Sequence, residues 1–225
     1  MSLQVTLFGA PSIQINNTPV TGFISSKANA LVYFLAATGR THTRDVLATL
    51  LWGSSSDEYA KKSLRNVLSN LRGLLGSYLE ITRSEVRLLT AQMAPVDLQQ
   101  FEATLVAAQR QPANAPARAE LLAKAVTLLR GELLEGFQVA DAEGFEEWLR
   151  STREQFHLLS IQAWSELVAF HAQQGDVLTG IQHATRLLTL DPLREESHRY
   201  LMLLLALNGQ TGAAIAQFQN CQRIL

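Results

Sequence analysis

Cysteine is almost missing from this chain. The single Cys221 has no partner for an intramolecular disulfide and cannot belong to a multi-cysteine zinc site. No run of roughly 18 uncharged apolar residues occurs, so no transmembrane helix is expected. The start, Met1-Ser2-Leu3-Gln4-Val5, lacks the basic stretch and long apolar core of a signal peptide. The patterns G-x-x-x-x-G-K-[ST] and G-x-G-x-x-G do not occur, which leaves a nucleotide site without support. The histidines at 42, 157, 171, 183 and 198 are scattered, and none falls in H-E-x-x-H. They read as surface or capping residues. Glu146-Glu147 and Glu195-Glu196 read as solvated faces. Trp52, Trp148 and Trp164 read as core anchors, and Cys221 as a small core residue. No catalytic residue, metal or cofactor is expected, and a cytoplasmic protein fits.

What is present is apolar. At 225 residues and 47% hydrophobic, the chain can fold as one large domain or two ordinary ones, and disorder is excluded. The net charge of −1 conceals an asymmetry. Residues 1–95 hold nine Lys/Arg against five Asp/Glu, a net of +4, while the remainder holds ten against fifteen, a net of −5. A basic half beside an acidic half suggests that the basic half meets a polyanion, although scatter alone can produce four charges.

The first twenty residues read as strands. Leu3, Val5 and Leu7 alternate with polar neighbours, as do residues 12–15, and Asn16-Asn17-Thr18-Pro19 reads as a turn before a third strand beginning at Val20. Three helices follow. Ser25 or Ser26 caps the first, which Gly39 stops. Thr43 caps a shorter second with Val46, Leu47, Leu50 and Leu51 inward. The third is expected from about Asp57 to Leu75, with Gly76 ending it. Residues 79–82 and 85–89 form a hairpin around Arg83-Ser84. A small sheet, three helices and a hairpin is the order of a winged helix-turn-helix with an added N-terminal sheet.

From Asp97, which caps the next helix, nearly everything is helical. Leu121, Leu122, Ala125, Val126 and Leu129 line a further helix, and a long one carries Phe145 to Phe170. Gly175 and Gly209 lie 34 residues apart, as do Ile181 and Ile215, and Ala184 and Phe218. That is the period of tetratricopeptide repeats, and generic helical-hairpin packing is the competing account. The fold expected is therefore mainly α with a small β part. Residues 1–95 form a winged-helix DNA-binding domain, and residues 96–225 an α-helical tetratricopeptide-like repeat domain. The chain stops at Leu225 in a helical pattern without a cap, and the expectation is that the natural protein continues.

The third helix carries the functional signal. Leu64, Val67, Leu68, Leu71 and Leu75 gather on one side at about 100° per residue. The opposite side presents Lys62, Asn66, Ser69 and Gly73, flanked by Arg65, Tyr59 and Asn70. No acidic residue lies between Tyr59 and Leu79. Arg can donate two hydrogen bonds to a guanine edge and Asn can pair with adenine, each worth roughly 1–3 kcal/mol of discrimination. Lys and Ser reach phosphates. A solvated face is the other account of Lys61, Lys62, Arg65 and Arg72. Arg83 at the hairpin tip is a candidate for the minor groove or a phosphate; Arg44 and Arg87 are candidates for phosphates, and Lys27 is a further one.

These residues resemble a known family. The stretch from Lys27-Ala28-Asn29-Ala30-Leu31 through Leu50-Leu51-Trp52-Gly53, then Lys62 to Arg72, resembles the OmpR-type winged helix of the Streptomyces antibiotic regulatory protein (SARP) family. The part from Val96-Asp97-Leu98 onward resembles the bacterial transcriptional activator domain that follows it there. The likeness is carried by Arg130-Gly131, Trp148-Leu149, Asp191-Pro192-Leu193-Arg194-Glu195 and Gly209-Gln210 to Cys221. The resemblance implies a transcriptional activator that binds double-stranded DNA at direct repeats near promoters, as a homodimer, and recruits RNA polymerase. The helical-repeat domain would serve dimerisation, regulation or polymerase contact. The alternative is a helical-repeat interaction scaffold whose N-terminal domain does not bind DNA.

Overall fold

The computed structural model describes residues 2–89 and 92–224; Met1, Thr90, Ala91 and Leu225 lie outside the described residues, and so does the expected open end of the last helix. The chain packs as two compact units. One comprises Met1–Gln100 with Leu128–Glu154, the other Phe101–Thr127 with Gln155–Leu225.

The first unit begins with an antiparallel meander. Strand β1 (Leu3–Thr6) pairs with β2 (Ser12–Ile15), Leu3 opposite Ile15 and Thr6 opposite Ser12. The third strand, expected from Val20, is instead β3 (Thr18–Pro19), with Thr18 opposite Ile15. Asn16 and Asn17 both adopt positive φ, 51° and 63°. A two-residue turn of that kind reverses the chain at once, so pairing resumes immediately after it. Asn tolerates the left-handed region better than most residues because its side chain is short and can hydrogen-bond locally.

Helix α1 (Ser26–Thr38) is capped by the Ser25 hydroxyl, which accepts from the Ala28 N–H, and ends at Gly39 with φ 60°. Strand β4 (His42–Thr43) leads into α2 (Arg44–Trp52), where Thr43 supplies the cap as expected. The buried residues of α2 are Leu47, Ala48, Leu51 and Trp52; Val46, expected inward, is 51% exposed. The stripe formed by 47, 48, 51 and 52 is centred on the opposite side of the helix from 46. Helix α3 (Asp57–Leu75) has the bounds its sequence suggested. Strands β5 (Leu79–Ile81) and β6 (Glu85–Leu88) form a hairpin that β4 joins, giving the order β4-β6-β5.

Residues 128–154 follow the 95/96 boundary in sequence yet pack within this unit. The Gly9 N–H donates to Glu132 O and the Leu134 N–H to Leu7 O. Phe137 stacks edge-on to Tyr33 at 5.1 Å, and Trp148 to Phe34 at 4.9 Å. Helix α4 (Asp97–Gln109) contributes Asp97, expected as a cap. Its carboxylate does accept from the Leu98 N–H, but it also accepts from the N–H groups of Leu7 (3.0 Å) and Phe8 (3.1 Å) just past β1, and from Arg130 (2.8 Å). Asp97 is only 5% exposed.

The second unit is helical. Helix α5 (Pro116–Val126) stops three residues short of Leu129, which was expected to line it. Helix α6 (Glu143–Gln174) supplies residues to both units; α7 (Val177–Leu190), α8 (Glu195–Leu207) and α9 (Thr211–Ile224) follow. Gly175 and Gly209 both turn through positive φ, 73° and 74°, so the 34-residue recurrence is real in the backbone. Burial breaks it. Ala184 is enclosed by a core of Ile161, Val168, Leu187, Leu201 and Leu204, whereas its counterpart Phe218 is 50% exposed and Ile215 54%. The cause is packing: residues of α6 and α8 cover α7, while α9 packs on α8. Cys221 is buried, as expected.

His198 departs from the expectation of a surface or capping histidine. It is 1% exposed, its Nε2–H donates to Pro192 O at 2.8 Å, and Nδ1 meets the Gln217 amide at 2.6 Å. A carbonyl oxygen can only accept, so Nε2 must carry the hydrogen.

His183 lies against Trp164 (ring centres 5.2 Å apart) and His171 (5.0 Å). Burial first, and then the His171 charge, hold its pKa below 6.5, with Asp176 opposing weakly. The unfolded imidazole therefore binds a proton more readily than the folded one. The stability this group contributes is complete above pH 6.5 and falls away as the pH drops below it. Chemical denaturation of the chain with His183→Gln is expected to show a smaller loss of stability between pH 7 and pH 5 than the unaltered chain shows.

Candidate nucleic-acid interface

Helix α3 is amphipathic because its leucines recur at helical spacing. Ala60, Leu64, Val67, Leu68, Leu71 and Leu75 are buried. Lys62, Asn66, Ser69 and Gly73 are exposed on the other side, with Tyr59, Lys61, Arg65 and Arg72 exposed around them. Acidic residues are confined to the first turn, Asp57 and Glu58, where they complement the positive end of the helix dipole.

Hydrogen bonds sort the expected residues. Among the described residues no side-chain hydrogen bond or ion pair engages Lys62, Asn66 or Ser69. The Arg65 Nε–H donates to Lys61 O at 3.3 Å, a bond along its own helix that leaves the two outer guanidinium nitrogens without a partner among the described residues. Lys61 lies 3.5 Å from Asp45, with both side chains well exposed, so this pair adds little stability. Asn70 is different. Its Oδ1 accepts from the Ile24 N–H and its Nδ2 donates to Gly22 O, which ties α3 to the segment leading into α1. That amide is engaged in the fold and is a positioning group.

Other candidates fall at the edges. Arg83 is exposed at the hairpin tip, where the Thr82 hydroxyl accepts from the N–H groups of Ser84 and Glu85 and shapes the turn. Arg87 pairs with Glu80 across the β5–β6 ladder, so its charge is locally matched. The Arg44 backbone N–H donates to Ser84 O, and its Nε is buried without a partner among the described residues. Lys27 is held in place: its Nζ donates to Asp141 O at 2.5 Å and lies 5.3 Å from the centre of the Trp52 ring. Burial lowers its pKa from 10.5, with Asp141 opposing.

Beside the outward face of α3 lies a groove of about 610 Å³. Helix α3 contributes Tyr59, Ser63, Asn66 and Val67 to its lining, and Ile24, Ser25, Lys27, Trp52, Ser54, Ser55 and Asp141 complete it among the described residues. Sequence reasoning missed Asp141. It belongs to a stretch without periodicity, about 70 residues past α3, and only its acidic character was available as a signal.

Residues 96–225 match the bacterial transcriptional activator domain family. The chain belongs to this family. The activator domain thus supplies both Asp97 and Asp141 to the unit that holds α3. The chain is similar to the regulatory protein AfsR of Streptomyces coelicolor, 27% identical over 211 residues that cover 92% of this chain and 20% of that protein. It is also 27% identical to AfsR of Streptomyces griseus, over 202 residues, 87% of this chain and 20% of that protein. This chain spans about a fifth of the length of those relatives. A structure of Mycobacterium tuberculosis EmbR in complex with a low-affinity phosphopeptide superposes with a TM-score of 0.74 at 22% identity, covering 99% of this chain and 59% of that one. That likeness shows the fold, which is mainly helical with a small sheet part. Among the described residues no helix is long and apolar enough to cross a membrane, and no group of three or more His, Cys, Asp or Glu is placed to hold a metal ion.

Proposed function

We propose that this chain is a DNA-binding transcriptional regulator of the SARP type, an activator whose residues 1–95 form a winged helix. Helix α3 enters the major groove, and the β5–β6 hairpin acts as the wing. The reading is carried by the outward face of α3, where Lys62, Arg65, Asn66 and Ser69 stand exposed while the leucines are buried. The family's description as a transcriptional activator domain and the name of the AfsR relatives support it. Direct repeats near a promoter would be read by two protomers. The helical-repeat domain would serve dimerisation, regulation or contact with RNA polymerase in the cytoplasm.

The test is selection of bound duplexes from a random DNA pool, followed by affinity measurements across salt concentrations. Lys62, Arg72 and Arg83 with two or so further cations would neutralise about five phosphates per protomer. Log affinity should then fall with log salt at a slope of about −4 to −5. Recovery of no preferred sequence at low salt would instead favour the scaffold reading, to which the half-exposed Ile215 and Phe218 lend some support.

A further inference from the structure

The groove beside α3 contains a charge that base reading does not use. Asp141 is the one carboxylate among the described residues lining it, along with Tyr59, Ser63 and Asn66 of α3. It is exposed and held in the left-handed region at φ 53°. Its backbone carbonyl oxygen accepts from the Lys27 ammonium at 2.5 Å, while its carboxylate makes no ion pair with Lys27 among the described residues. A backbone phosphate approaching this side of α3 would be attracted by Lys27 and repelled by Asp141.

We propose that Asp141 is a built-in restraint on DNA affinity: from the groove beside α3 its carboxylate repels the sugar–phosphate backbone of a docked duplex. This rests on the reading of α3 as a DNA-binding helix. Weakening the phosphate contribution lowers affinity for every sequence alike, so contacts to base edges count for more of what remains. The residue that does this comes from the activator domain, which gives that domain a direct influence on how tightly α3 binds.

Asp141→Asn tests it, because Asn accepts the left-handed backbone and retains the carbonyl that holds Lys27. Anisotropy titrations of the full chain would use a labelled duplex recovered from the random pool and a scrambled duplex of equal length. The variant should bind both about five-fold more tightly at low salt, with the ratio between them unchanged and the gain shrinking as salt rises. Asp141→Gly, which also fits this backbone, should repeat the gain. Glu143→Gln removes an exposed charge two residues away that does not line the groove, and it should change affinity much less. Unchanged or weaker binding by both Asp141 variants, while the unaltered chain still selects its duplex, overturns the inference and leaves the DNA reading standing. An equal gain from Glu143→Gln also overturns it, since bulk charge would then suffice. If the unaltered chain selects no duplex, both fall.

Discussion

Replacing Arg65 and Asn66 together by Ala is expected to cost at least about thirtyfold in affinity for the selected duplex and only a few-fold on a scrambled one. Each bidentate contact to a base edge carries roughly 1–3 kcal/mol of discrimination, so losing two removes about 2–6 kcal/mol from the specific complex. Non-specific binding depends on phosphates, and Lys62, Arg72 and Arg83 remain. Both residues are exposed, so thermal stability should change by less than about 0.5 kcal/mol. An equal loss on both duplexes would mean that α3 contacts only the backbone.

The largest stability effect is expected at Asp97. Asp97→Ala should destabilise the first unit by about 3 kcal/mol, seen as a lower denaturation midpoint for Trp52 and Trp148 fluorescence. The main cause is the loss of a buried acceptor for the Leu7 and Phe8 N–H groups, since each buried group left without a partner costs about 1–3 kcal/mol. The ion pair with Arg130 adds less, because the Arg130 side chain is more than half exposed and screened by solvent. A loss below about 1 kcal/mol would show that water replaces the carboxylate without penalty. Asp97→Asn should fall between, since one oxygen still accepts while the amide hydrogens confront the donors.

The two sites differ in how far they can be read from sequence. The α3 face was legible because everything that makes it lies within about twenty consecutive residues: leucine spacing, a run free of acidic residues from Tyr59 and a glycine stop at Gly76. The caps at Ser25 and Thr43 were legible for the same local reason. Asn70 reads on that helix as one more polar surface residue, and only the approach of residues 22–24 engages its amide. Lys27 reads as a free cation until Asp141 and Trp52 are brought to it. Val46 and His198 were misjudged in burial because periodicity gives the angle of a side chain around its helix, and neighbouring elements decide what covers it.

Residue order alone thus determined the positions of the helices and the hairpin, the leucine face of α3 and the cationic, amide-bearing face opposite, because helix periodicity, caps and turns act over a few residues. The tertiary structure alone decided that residues 128–154 pack with the first hundred, that Asp97 ties down the chain after β1, and that an acidic side chain borders the groove beside α3. Those outcomes depend on contacts between segments tens of residues apart, which follow from how apolar faces fit together and leave no local pattern in the sequence.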